Sequence, residues 1–360
     1  MKRPYYIFSS GRLRRRQNTL FFEKAAGERI PDDQDETGEP SGTPTGERIP
    51  FPVEQVESLY FFGEVDLNSK LLTFLARHDI PAHFYDYYGN YTGTYIPRDY
   101  LHSGRLRIEQ VLHYVRPKRR RYLARAIVEA ATYNLLRVLR YYVNRLEGER
   151  REAVAEAIAT IEQERTQLRS AEKIPELMGI EGRSREAYYS AWPSILADGP
   201  GEAFVFEKRE RRPPSNEINA LISFGNSLCY TTTIRQIHRT ALDPTISYLH
   251  EPGARRFSLA LDLSEIFKPI LVDRAIFRLV KTGEITPRHF EERLGGVYLK
   301  EEGRRIFVRH WDERLRQTVY HRRLERHVSY ERLIRLECYK LIRHLLDPKN
   351  EPYRGLHMWW

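Results

Sequence analysis

The sequence has few cysteines and no long apolar run. Its 360 residues include two cysteines, Cys229 and Cys338, so we expect free thiols rather than a disulfide framework. No stretch of about 18 apolar residues occurs, which predicts that no helix spans a membrane. The opening residues Met1–Ile7 lack the apolar core of a signal peptide. These absences favour a cytoplasmic protein with no membrane partner.

A nucleotide-binding loop is also missing, and lysine is scarce. No Gly-x-x-x-x-Gly-Lys motif occurs, so nothing indicates a P-loop nucleotide site. Lysine supplies 11 of the 59 basic residues, and the rest are arginine. The arginine guanidinium binds phosphate through two parallel hydrogen bonds, which a lysine ammonium cannot do. With a net charge of +10 and a pI near 9.4, the composition predicts an anionic polymer as partner.

Two arginine-rich segments carry much of the positive charge. Residues 116–151 hold eleven basic residues against three acidic ones, and residues 304–343 hold twelve against five. A solvated surface would explain either segment, but their common sign, together with a candidate metal site in the same domain, favours contacts with phosphates. Within the first segment, the candidate DNA-binding residues are Arg119, Arg120 and Arg121.

The hydrophobic pattern divides the chain into a β-rich part and a helical part. Short aromatic runs before about residue 100 predict strands, with a turn at Gly11–Leu13 between the first two. Later apolar residues recur every three or four positions, which is typical of amphipathic helices. We therefore predict an α+β protein with a β-rich domain at residues 1–102 and a larger all-α domain at residues 103–360. The polar segment 27–50, in which Gly-Glu-Arg-Ile-Pro occurs twice, predicts a disordered loop.

Four polar residues stand in mainly apolar surroundings and are candidates for a metal site. They are Glu181, His250, Asp262 and Glu265. An unpaired buried carboxylate is costly, whereas carboxylates with an imidazole suit Mn²⁺ or Mg²⁺. Asp262 and Glu265 are spaced to share one helical face, where they would raise each other's pKa unless a cation lies between them. In so basic a chain, the predicted substrate of such a metal is a phosphodiester.

Each candidate also has an ordinary structural explanation. Glu181 could form a surface ion pair with Arg185, one helical turn later, and His250 could be a buried structural histidine. Asp262 and Glu265 could cap a helix or face solvent. Arg185 and Tyr188 lie on the same predicted helical face as Glu181, and we interpret both as contacts with a metal-bound DNA phosphate.

Several motifs occur in the order typical of one known family. They are Tyr6–Leu13, Phe62–Asn68, Gly179–Gly182, Asn219–Asn226, Leu242–Glu251 and Ser258–Glu265. Through these motifs nearly the whole chain resembles the CRISPR-associated adaptation integrase, the metal-dependent endonuclease of spacer acquisition. The segment 27–50 is a departure from the family pattern, and it lies outside every motif.

The resemblance implies roles for the candidate residues. It makes Glu181, His250 and Glu265 the ligands of Mn²⁺ or Mg²⁺, and Asp262 an accessory carboxylate. The implied reaction joins the 3′-hydroxyl of a prespacer to a phosphodiester at the CRISPR repeat. The implied partners are double-stranded DNA, a second copy of the chain bound through the β-rich domain, and the small second CRISPR adaptation protein. Two other functions stay open, a non-catalytic DNA-binding scaffold and a structure-selective nuclease that cuts without joining.

Overall fold

The computed structural model describes residues 2–25, 44–86, 88–97, 103–210, 213–253, 256–293 and 295–359. The chain divides into two compact units, Met1–Tyr100 and Leu101–Trp360. Strands predominate in the first unit and helices in the second. The predicted α+β class is therefore confirmed.

The first unit contains two four-stranded sheets among its described residues. Its strands are β1 (Arg3–Ile7), β2 (Gly11–Arg16), β3 (Thr19–Ala25), β4 (Pro44–Pro52), β5 (Val56–Phe61), β6 (Val65–Asp66), β7 (Ala82–Tyr85) and β8 (Tyr91–Tyr95). One sheet has the order β1-β5-β7-β8 and the other β4-β3-β2-β6. The helix α1 (Ser69–Arg77) begins at Asn68, whose side chain accepts a hydrogen bond from the Leu71 amide at 2.9 Å. Leu20, Leu59 and Leu75 are fully buried in the core of this unit.

Two predictions for this unit are wrong. The segment predicted as a turn at Gly11–Leu13 belongs to strand β2, which pairs antiparallel with β3. Leu13 is buried while most of the surrounding arginines are exposed, so one face of the strand packs on the core. The turn lies instead at Gln17, whose φ is +54°. Residues 44–50 of the predicted loop also form a strand, part of β4, and residues 27–43 lie outside the described part of the chain.

The second unit is mainly helical. Its helices are α2 (Gly104–Val115), α3 (Pro117–Val143), α4 (Gly148–Thr166), α5 (Ile174–Ser190), α6 (Trp192–Leu196), α7 (Glu217–His238), α8 (Ser258–Lys268), α9 (Arg274–Lys281), α10 (Glu301–Arg316) and α11 (Tyr330–Leu346). A single π-helical turn, Pro269–Asp273, joins α8 to α9. Two hairpins interrupt the predicted all-α pattern, formed by strands β9 (Phe290–Arg293), β10 (Gly296–Leu299), β11 (Thr318–His321) and β12 (Arg326–Ser329).

Helix α3 lies at the centre of this unit. The apolar residues at four-residue spacing that predicted it are all buried, and they are Leu123, Ile127, Ala131, Leu135 and Leu139. Helix α3 packs against both α5 and α8. These two helices carry Glu181 and Glu265, so α3 is the support against which the candidate site is assembled.

The buried side chain of Asn134, in α3, ties together three segments that are distant in sequence. Its amide nitrogen donates hydrogen bonds to the carbonyl oxygens of Ile266 and Leu356, both at 2.9 Å. Its oxygen accepts a hydrogen bond from the Met358 amide at 2.9 Å. A buried amide with every group paired is well stabilised, so Asn134 fixes helix α8 relative to α3.

The remaining expectations concern the thiols and the membrane. Cys229 in α7 and Cys338 in α11 are free and buried, which confirms the prediction of free thiols. Within the described ranges, no helix is both long enough and apolar enough to cross a bilayer.

Candidate metal centre and nucleic-acid surface

Asp262 is the anchor of a loop and not a solvent-facing group. It is fully buried in α8. Its Oδ2 accepts hydrogen bonds from the amides of Tyr248 at 2.6 Å and Leu249 at 2.9 Å, and its Oδ1 accepts one from the His250 amide at 2.9 Å. Backbone amides stabilise a carboxylate well in a buried place. The loop that carries His250 is thereby fixed to helix α8.

The same carboxylate also holds the ring of His250. Asp262 Oδ1 lies 2.8 Å from His250 Nδ1. Burial alone would lower the pKa of His250, but the hydrogen bond and charge of Asp262 outweigh it, so this pKa is raised. With a proton on Nδ1, the other nitrogen, Nε2, is the one that can bind a metal. A carboxylate that orients a histidine in this way is usual behind metal-binding histidines.

The outer side of the His250 loop is held by side chains from α2 and α3. Arg120 donates to the carbonyl oxygen of Tyr248 at 2.9 Å and to Glu251 Oε1 at 2.6 Å. Tyr114 donates to Glu251 Oε2 at 2.9 Å. Arg120 therefore has a structural role that the sequence interpretation, which treated it only as a DNA contact, did not predict.

Glu181 and Glu265 are brought together by Arg185. The guanidinium of Arg185 donates to a carboxylate oxygen of Glu181, one turn earlier in α5, and to one of Glu265 in α8. Lys268 donates to the other oxygen of Glu265 at 2.6 Å. Burial would raise the pKa of Glu265, but the charges of Arg185 and Lys268 outweigh it and lower this pKa to about 2. Glu265 is thus ionised, and both carboxylates are paired with protein cations.

The arrangement explains why the sequence could not locate the partner of Glu265. Asp262 and Glu265 share a helix, as predicted, yet they bind different groups: Asp262 the His250 loop, and Glu265 the two cations. Lys268 lies three residues after Glu265, and this helical spacing is visible in the sequence. The contact between Arg185 and Glu265 spans 80 positions, and no local pattern indicates it.

Tyr188 does not lie on a DNA-accessible surface, so its predicted role as a DNA contact is wrong. Its side chain is fully buried, and burial together with the nearby Asp273 raises its pKa well above the usual value. Tyr188 lies seven residues after Glu181 in α5, and at this position the helix packs against the core. Arg185, 8% exposed, contacts two carboxylates inside the protein, and its contact with a DNA phosphate stays a prediction.

Asp273 is a buried carboxylate that the sequence interpretation missed. It is the last residue of the π-helical turn, 1% exposed, and burial raises its pKa to about 7 against the opposing charge of Arg185. An acid directly after the apolar run Ile270–Val272 was the available signal, similar to the one that pointed to Asp262.

The remaining arginine candidates have partners near the surface. Arg119 lies 3.8 Å from Glu109, and Arg121 donates to the carbonyl oxygen of Glu172 at 2.8 Å. Their contacts with DNA stay predictions.

A second basic surface lies at the far end of α3. A cavity of about 540 Å³ is lined there by Arg137, Arg140, Tyr141, Arg145 and Arg274, together with Val143 and Asn144. The guanidinium carbon of Arg145 lies 3.8 Å from the centroid of the Tyr141 ring, a cation–π contact. The sequence interpretation covered all of these residues except Arg274, and only as part of the arginine-rich segment 116–151.

The donor set fits a divalent cation, although the carboxylates now face protein cations. Within the described part of the chain, no three histidine, cysteine or acidic side chains converge tightly enough to hold a metal ion. The guanidinium of Arg185 contacts both Glu181 and Glu265. The donor types, two carboxylates and a histidine oriented by Asp262, are those that suit Mn²⁺ or Mg²⁺.

Comparison with known proteins assigns the family. The family model described as CRISPR associated protein Cas1 matches residues 5–313, and the chain belongs to that family. A CRISPR-associated endonuclease Cas1 of Thermodesulfovibrio yellowstonii is 44% identical over 358 residues, covering 99% of this chain and all of the relative. The Cas1 endonuclease of Clostridium perfringens is 43% identical over the full length of both chains.

Solved structures agree with this assignment. A Cas1 protein from Thermotoga maritima superposes with a TM-score of 0.82 at 40% identity, covering 99% of this chain and 100% of that one. A casposase bound to its integration product superposes with a TM-score of 0.79 at 20% identity, over 99% of this chain and 93% of that one. At this identity the second match shows a common fold.

Proposed function

We propose that this chain is a metal-dependent DNA endonuclease and integrase of CRISPR adaptation. The observation that carries the proposal is that Glu181 and Glu265 share one partner, Arg185, in the same unit as a histidine whose Nδ1 is held by Asp262. The relatives named as Cas1 endonucleases support the class of reaction. The strongly basic composition supports DNA as the substrate.

Glu181, His250 and Glu265 would hold the cation, which is Mn²⁺ or Mg²⁺. When bound, such a cation polarises the scissile phosphate and stabilises the leaving oxygen. Asp262 keeps the His250 ring in one orientation with Nε2 available. The surface arginines hold the DNA backbone without reading its sequence.

The reaction is a transesterification. The 3′-hydroxyl oxygen of a prespacer attacks a phosphorus atom at the repeat boundary, one phosphodiester bond forms, and the original one breaks. Because the number of phosphodiester bonds does not change, the step needs no nucleoside triphosphate and can run backwards on branched DNA.

The proposed assembly contains further protein chains. One structural neighbour is a Cas6-RT-Cas1–Cas2 complex, with a TM-score of 0.78 and 18% identity. We propose that this chain forms a homodimer through its β-rich unit and binds the small second adaptation protein.

The test is an integration assay with a labelled prespacer, a plasmid that carries the repeat, Mn²⁺ and the small partner protein. We expect a joined product that disappears with Glu265→Gln. Glu186→Gln is the matched control, since Glu186 is an exposed residue on the same helix as Glu181, and it should leave joining unchanged. Cut but unjoined DNA would favour the structure-selective nuclease. DNA binding without either product would favour the scaffold.

A further inference from the structure

Arg185 occupies the position between the two carboxylates that the proposed metal would need. Its guanidinium contacts both Glu181 and Glu265. The side chain of Arg185 is 9% exposed, and that of Glu181 is 21% exposed. The contact between Arg185 and Glu265 is therefore buried, whereas the contact between Arg185 and Glu181 is partly open to solvent.

The charges at this place balance without a metal ion. Glu181 and Glu265 contribute two negative charges, and Arg185 and Lys268 contribute two positive ones. A divalent cation added to this set leaves an excess of two positive charges in a largely buried place, which is costly. The excess falls when an anion enters or when Arg185 leaves the carboxylates.

A DNA phosphate can do both. The planar guanidinium binds phosphate through the same pair of parallel hydrogen bonds that it offers a carboxylate. A phosphodiester that arrives on the Glu181 side gives Arg185 an alternative partner and adds a negative charge. Lys268 remains on the second oxygen of Glu265.

We propose that Arg185 couples metal binding to DNA binding. Without DNA its guanidinium neutralises Glu181 and Glu265 and competes with the cation. With DNA it turns to a backbone phosphate and frees both carboxylates for the cation. This inference rests on the proposed function. By linkage, the cation must raise the affinity for DNA by the same factor by which DNA raises the affinity for the cation.

The experiment measures Mn²⁺ binding directly, by the electron paramagnetic resonance signal of free Mn²⁺. The full-length chain is titrated alone and with a short duplex whose 3′ ends are dideoxy, so that no joining occurs. We expect the duplex to lower the Mn²⁺ dissociation constant of the wild type by about tenfold or more, within the usual range of coupling between sites. Arg185→Gln should bind Mn²⁺ tightly without DNA and respond little to the duplex.

Arg183→Gln is the matched control. Arg183 lies two residues earlier on α5, is exposed, and pairs with Glu164 at 2.8 Å and 2.9 Å. This variant should keep the full DNA dependence of the wild type. Arg185→Lys tests whether misfolding explains the result for Arg185→Gln. It keeps the positive charge but lacks the two parallel N–H donors of the guanidinium. It should fold and show a smaller DNA effect than the wild type.

Two results would overturn the coupling, and they differ in what else they overturn. If wild-type Mn²⁺ affinity is the same with and without the duplex, Arg185 is a fixed structural cation and the proposed function stands. If the wild type binds no Mn²⁺ even with the duplex, both the coupling and the metal-dependent function are wrong. Loss of Mn²⁺ binding in Glu265→Gln, in both conditions, identifies the measured site.

Discussion

Replacing Asp262 with asparagine should destabilise the helical unit more than most surface changes. The carboxylate accepts four hydrogen bonds, three from the amides of Tyr248, Leu249 and His250 and one from the His250 ring. Asparagine keeps one accepting oxygen and places an amide group where the other stood. Two donors then lose their acceptor.

The size of the effect follows from those two lost bonds. A hydrogen bond to a charged group contributes about 1.5–3 kcal/mol, so the expected loss is about 3–6 kcal/mol in the free energy of unfolding. Asp262 is fully buried, so water does not replace the lost partners. A loss of this size is a large part of the stability of an ordinary domain.

The measurement is urea unfolding followed by tryptophan fluorescence. All four tryptophans follow residue 191, so the signal reports on the helical unit. The control is Asp243→Asn, in the segment leading to His250. Its partly exposed carboxylate accepts from the Thr245 amide and hydroxyl at 2.9 Å and 2.6 Å and pairs with the exposed Arg107 at 3.2 Å. We expect the control to lose less than about 1.5 kcal/mol. Equal unfolding midpoints for the two variants would refute the role of Asp262 as the anchor of the loop.

Three further predictions concern the core and the DNA surface. The pKa of Asp273 is raised from 3.8 to about 7, so the folded state holds this proton more tightly than the unfolded state does. The free energy of unfolding should therefore fall as pH rises from about 4 to about 7. Asp273→Asn should remove this decline, so that urea unfolding at pH 8 gives a free energy of unfolding up to about 4 kcal/mol higher than that of the wild type. Gly225→Ala should cost about 1–3 kcal/mol, because the added carbon would lie 2.5 Å from Val272 Cγ1. Replacing Arg140 and Arg145 together with glutamine should reduce the slope of log affinity for DNA against log salt by about 0.9 for each lost phosphate contact.

Each of these has its own contrary outcome. Parallel stability–pH curves for the wild type and Asp273→Asn would mean that Asp273 is not protonated in the folded state at neutral pH. Gly182→Ala is the control for Gly225, since nothing lies within 4 Å of the added carbon, and it should be neutral or stabilising by up to about 1 kcal/mol. An unchanged salt slope would show that the cavity beside Tyr141 does not bind the DNA backbone.

The sequence predicted the features that depend on local periodicity. The four-residue spacing of apolar residues located α3, and its stripe is buried. The three-residue spacing placed Asp262 and Glu265 on one helix, where the structure has them. Strand β2 was missed because its arginines resemble a polar turn, although alternation around Leu13 fits a half-buried strand.

The features that depend on distant contacts could not be predicted in the same way. Helical spacing put Tyr188 on the face of Glu181, but only the packing of the core decides that Tyr188 is buried. The same holds for Arg185, whose second partner belongs to another helix. Arg120 looked like one more residue of a basic run, and its contacts with Tyr248 and Glu251 follow from the position of a loop that lies about 130 residues later.

The three hydrogen bonds of Asn134 limit how early during synthesis the helical unit can be completed. Two of its three partners, Leu356 and Met358, lie 222 and 224 positions after Asn134 and are synthesised correspondingly later. Helix α3 and helix α8 leave the ribosome well before these residues, so the bonds that tie α8 and the closing segment to α3 cannot all be complete on a nascent chain. Glu265 and Asp262 lie on that helix. The tie is therefore complete only after Met358 has been synthesised, and a chain that stops before Leu356 lacks two of its three hydrogen bonds.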